Sequence, residues 1–123
     1  MNTAEQYAEF RESWRPTPEK VDLAVKTAIK VAQPSRVYIF GSWARNEASL
    51  DSDLDLAVFF HDDRRGEIPE LRRKIRSGLG GLRMSVDLVL ATEGQVKEFL
   101  SSINSIYYEI VHEGKLVYDA GRR

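Results

Sequence analysis

The chain has 123 residues, 18 basic and 19 acidic side chains, a formal charge of −1 at pH 7 and no cysteine. That length suits one domain, residues 1–123, with a single modest core, and the near-neutral charge argues against bulk attachment to nucleic acid or membrane. The absence of cysteine excludes disulfides and thiolate metal sites. With no signal pattern in MNTAEQYAEF and no membrane-length apolar run, it leads us to expect a cytoplasmic protein without membrane contact.

Residues 1–16 are polar with scattered aromatics (Tyr7, Phe10, Trp14), which fits an N-terminal arm or a short helix. Thr17-Pro18 is a helix start, with Thr as N-cap and Pro in the first turn. Val21, Val25, Ala28 and Ala32, with Ile29 beside them, form one apolar stripe, and Pro34 ends the helix. A first strand is expected at Arg36 to Phe40, a short helix from Ser42 to Ala48, and a second strand from Asp53 to Phe60.

A polar turn, His61-Asp62-Asp63, leads to a helix from about Glu67 to Leu79. Ile68, Leu71, Ile75 and Leu79 share its apolar face, and Gly78, Gly80 and Gly81 end it. A third strand is expected at Met84 to Leu90. Thr92 and Gln95 then make a capping box for a helix that breaks near Asn104, and Lys115 to Tyr118 reads as a last strand. Strands alternating with helices predict an α/β or α+β sandwich built on a small sheet.

Three acids stand out because Asp is disfavoured within strands and rarely buried unpaired. Successive side chains of a strand point to opposite faces, so Asp53 and Asp55 share one face about 7 Å apart, with Leu54, Leu56 and Val58 on the other. Asp87 is the acid inside the third apolar run. Taken singly, Asp53 also reads as turn chemistry in Asp51-Ser52-Asp53, and Asp87 as the partner of an arginine. Taken together, three converging carboxylates repel one another unless a cation neutralises them. All-oxygen ligands then favour Mg²⁺ or Mn²⁺. Gly41-Ser42 lies where a strand hands over to a helix, a position suited to phosphate.

Gly41-Ser42, ten residues, then Asp53-x-Asp55 resembles the signature of the polymerase-β-like nucleotidyltransferase superfamily. With ordinary Gly, Ser and Asp usage, these four positions match by accident in roughly two chains per thousand of this length. The similarity runs from Pro18 to Tyr118 and looks like the minimal nucleotidyltransferases (MNT), many of them antitoxins paired with a HEPN-type ribonuclease toxin. It implies a polymerase-β-like core with a small mixed sheet packed by helices. It also implies two Mg²⁺ (or Mn²⁺) ions held by Asp53, Asp55 and Asp87, with Gly41 and Ser42 at the nucleotide. The implied reaction moves AMP from ATP onto a tyrosine of the toxin, in a hetero-oligomer; the near-neutral charge separately leads us to expect no direct nucleic-acid binding.

Arg45 fits either the phosphates or a pairing with Glu47 or Asp51. Where relatives carry glycine after this arginine the chain has Asn46, a residue that tolerates left-handed angles. Competing readings are a binding module that neutralises its partner without chemistry and, lowest, transfer to a small-molecule hydroxyl.

His61 reads as a solvated loop histidine, and Trp43 as packing beneath the signature loop or, as the alternative, stacking on a base. The basic run Arg72 to Arg76 reads as a solvated helix face.

Overall fold

A computed structural model describes residues 2–49 and 52–121. Its frame is a four-stranded mixed sheet of β1 (Arg36–Phe40), β2 (Leu54–Phe60), β3 (Val86–Thr92) and β4 (Lys115–Asp119), in the order β3-β2-β1-β4. β1 runs antiparallel to both β2 and β4, while β2 and β3 are parallel. A parallel pair needs a long crossover, and α3 (Ile68–Leu79) lies in it.

The sheet is covered on both faces, which makes β2 almost uniformly apolar. Leu54, Leu56, Val58 and Phe60 point to a core shared with Val21, Ala24, Val25 and Ala28 of α2 (Pro18–Ala32) and Leu71 and Ile75 of α3. On the other face Ala57 and Phe59 meet Val96 of α4 (Glu93–Phe99) and Ile110 of α5 (Ile106–Glu113). Phe59 and Phe60 are fully buried on opposite faces. Each contributes about 2–3 kcal/mol of transfer free energy.

The helix boundaries follow local chemistry. Thr17 caps α2, accepting from the Lys20 N–H at 3.2 Å, and Gln33 closes it in the left-handed region. Thr92 and Gln95 form the reciprocal box at the start of α4. The break near Asn104 is real, and Ser105 caps the restart into α5. The N-terminal segment is a helix, α1 (Thr3–Ser13), capped by Asn2 and Glu5 and burying none of its own residues.

Four expectations need correction. The segment Ser42 to Ala48 is no regular helix. It is a single 3-10 turn, Gly41–Trp43, followed by a bend in which Asn46 has a φ of 58°. Positive φ at both Gly41 and Asn46 interrupts helical hydrogen bonding. β2 begins at Leu54, leaving Asp53 one step outside. β3 is displaced two residues toward the C-terminus, because its pairing runs from Leu54↔Val86 to Phe60↔Thr92. Gly78 lies inside α3, where a Cβ would press on the Thr27 methyl at 2.7 Å, and Gly80 is the cap.

The basic run of α3 is also less idle than expected. With the Leu54 N–H donating to the Ser85 carbonyl, the Val86 and Leu88 carbonyls point out of the sheet at its β3 edge. Arg76 Nη1 donates to the first at 2.5 Å and Arg72 Nη1 to the second at 3.1 Å. Two guanidinium groups thus occupy carbonyls that would otherwise accept another strand.

Candidate functional site

The site gathers at one end of the sheet, where β1 ends and β2 and β3 begin. Phe40 is the register partner of Asp55, so the chain turns at Gly41 directly beside that carboxylate. Gly41 has a φ of +70°, and a Cβ built there would overlap the Asp55 carboxylate. Glycine is required on both counts: only it reaches this backbone angle without strain, and only it leaves room for the acid. Ser42 follows, half-buried in the 3-10 turn.

Asp55 and Asp87 are register partners across the parallel β2–β3 pair. Partnered residues on neighbouring strands sit about 5 Å apart and leave the sheet on the same face. Here that is the face opposite α2 and α3, since Leu54, Leu56, Val86 and Leu88 fill the other side. Asp53, exposed before β2, borders a cleft of about 190 Å³ whose lining includes Phe10 of α1 and Trp14 just past the end of that helix.

The electrostatics follow from this crowding. The Asp55 carboxyl is pushed up to about 6, first by its partial burial and then by the charges of Asp87 and Asp53. A hydrogen bond shared with Asp87 and the more distant charge of Glu109 act in the same direction.

Among the described residues, no three acids or histidines are drawn close enough together to ligate one ion as they stand. The donor set nevertheless fits a hard divalent cation. It contains only carboxylate oxygens, Asp53 and Asp87 are exposed, and a positive charge would relieve the repulsion at Asp55.

Arg45 is exposed and engaged with acids. Its Nε donates to Glu47 Oε2 at 3.0 Å, and Nη1 lies 3.8 Å from Glu109 Oε1 on α5. The expected pairing with Glu47 is therefore present, and Asp51, the other expected partner, lies outside the described residues. Glu109 was not legible in the sequence. Nothing in its helix separates it from other surface acids, and only the packing of Ile110 on the sheet turns it toward this end.

Trp43 packs against the α2–α3 core and lines a recess of about 550 Å³ together with Pro16, Asn46 and Ala48. His61 is exposed.

The family model for polymerase β nucleotidyltransferases matches residues 24–123. The chain belongs to that family. Among solved structures, a candidate nucleotidyltransferase from Sulfolobus solfataricus has a TM-score of 0.51 at 18% identity, covering 87% of this chain and 93% of that one. At that identity the likeness shows the family fold. A chain from a toxin–antitoxin crystal structure with AMP-PNP gives a TM-score of 0.45 at 24% identity, over 78% of this chain and 71% of that one. No curated protein matches the chain. Among the described residues, no helix is long and apolar enough to cross a membrane.

Proposed function

We propose that this family member is a minimal nucleotidyltransferase, with residues 1–123 acting as one unit, that moves AMP from ATP to a hydroxyl. The acceptor we assign is a tyrosine of a cognate HEPN-type toxin, so that the protein acts as an antitoxin within a hetero-oligomer in the cytoplasm. The observation that carries the reading is the pairing of Asp55 with Asp87 on one face of the sheet, beside a glycine whose positive φ and missing Cβ make room for the Asp55 carboxylate.

In this reading Asp53, Asp55 and Asp87 would hold two Mg²⁺ ions, with Mn²⁺ as a substitute. Divalent ions in such a site supply charge stabilisation to the attacking and leaving oxygens of a phosphoryl displacement. The chain's own residues do the rest. Gly41 lets the backbone approach the triphosphate, and the Ser42 hydroxyl donates to a phosphate oxygen. Arg45 offers a guanidinium to the same oxygens. Asp87 accepts the proton of the acceptor hydroxyl as that oxygen attacks the α-phosphorus and pyrophosphate departs. An Asp carboxyl raised to about 6, first by burial and then by the charges of Asp87 and Asp53, suits a site that must trade protons against cations.

The test mixes the protein with the product of the adjacent reading frame, with and without ATP and Mg²⁺, and weighs the partner by intact-mass spectrometry. Gain of one AMP per partner tyrosine, dependent on Mg²⁺ and lost in Asp87→Asn, is the expected result. A stable complex with an unmodified partner would establish the binding-module reading instead.

A further inference from the structure

Arg45 is bridged by two carboxylates from different parts of the chain. Glu47 lies two residues along the same turn, whereas Glu109 comes from α5, which is anchored by buried Ile110. Glu109 also adds its charge to the field at Asp55, so the same carboxylate faces both the signature turn and the acid end of the sheet. The Arg45 and Glu109 side chains remain 44% and 42% accessible, at a separation of 3.8 Å. A pair of that kind is weak and is readily traded for a stronger ligand. A triphosphate is such a ligand, since its oxygens match the guanidinium fork and carry more charge than one carboxylate.

We infer that Glu109 is a positioning residue for nucleotide entry: it holds Arg45 in the ligand-free protein and gives it up to the incoming phosphates. This rests on the reading above that the end of the sheet at Gly41 takes ATP. The exchange makes Glu109 a brake on affinity. Binding must first release Arg45 from α5, and the freed carboxylate then stands beside an anionic ligand. Glu47 cannot play the same part, because it travels with the turn that carries Arg45 and imposes no link to α5.

A double-mutant cycle read by calorimetry separates this role from simple repulsion. The intact protein, Glu109→Gln, Arg45→Gln and the double variant are titrated with ATP at fixed Mg²⁺. The expected result is that Glu109→Gln binds ATP about two- to fivefold more tightly, the range of an exposed ion pair. In the Arg45→Gln background the same change should tighten binding clearly less, because only the repulsion between Glu109 and the anionic ligand is left to remove. Equal tightening in both backgrounds would mean that Glu109 acts by charge alone and would overturn the exchange, as would unchanged or weaker binding in Glu109→Gln. Glu109→Ala, read the same way, guards against a local folding defect in α5. Absence of ATP binding by the wild-type protein would remove the nucleotide reading itself. Binding without coupling would remove only the role given to Glu109.

Discussion

A side chain on residue 41 and the carboxylate of Asp55 cannot occupy the same space. Gly41 turns the chain at a φ of +70°, and its missing Cβ is the room in which the Asp55 oxygen sits. Fold and site therefore meet in one residue. Gly41→Ala is expected to lose about 1–3 kcal/mol of stability from backbone strain and steric overlap, and to weaken ATP binding as well. Urea denaturation measures the first and calorimetry with Mg²⁺ the second. A variant of wild-type stability would contradict the overlap.

Asp55 carries a pH signature whose sign is unusual for an acid. Its folded value, about 6, lies above the ordinary carboxyl value of about 3.9. Between these values the folded chain takes up a proton that the unfolded chain does not, so this residue's contribution to stability falls as pH rises from about 4 to 6. Asp55→Asn removes the penalty. The variant should melt higher than wild type at pH 7.5 without divalent ions, show little difference near pH 4, and have no transfer activity. Added Mg²⁺ should stabilise the wild type more than the variant. A lower melting point for Asp55→Asn at pH 7.5 would contradict the assigned cause.

The far end of the sheet offers a control that alters stability alone. Arg36 grips Glu93 through Nη2 at 2.6 Å and Nε at 3.0 Å, and the Ser35 hydroxyl donates to the same carboxylate at 2.7 Å. This bidentate, half-buried clamp ties the first turn of α4 to β1. Glu93→Ala should cost about 1–3 kcal/mol in denaturant unfolding while leaving the ATP affinity of the folded protein unchanged. A large loss of affinity would mean that the two ends of the sheet are coupled.

Arg72 and Arg76 guard the β3 edge through the carbonyls of Leu88 and Val86. Replacing both with alanine should expose those carbonyls and promote strand-to-strand association. Light scattering after size exclusion would register higher oligomers of the double variant. A monodisperse profile matching that of the wild type would assign the edge protection to something else.

The strand and helix order was legible because burial imposes period on the sequence. The stripe from Val21 to Ala32, the stop at Pro34 and the Thr92–Gln95 box each state their own structure locally. Asp55 and Asp87 stood out for the same reason, since an Asp inside an apolar strand breaks the rule that shapes its neighbours, whereas Asp53 lies one step outside β2. What remained hidden was set by partners distant in sequence. The limits of β3 come from its register on β2, and the turn after Gly41 comes from the need to clear Asp55. Arg76 as an edge cap and Glu109 as a partner of Arg45 depend on which helix lies over which strand.

The central claim is that Asp53, Asp55 and Asp87 close on divalent ions around a nucleotide. Electron paramagnetic resonance of Mn²⁺, titrated into the protein with a non-hydrolysable ATP analogue, counts bound ions directly. The account predicts two ions per chain for the wild type and no more than one for Asp87→Asn. Equal counts in the two proteins, or no binding above that of the free analogue in the wild type, would contradict it.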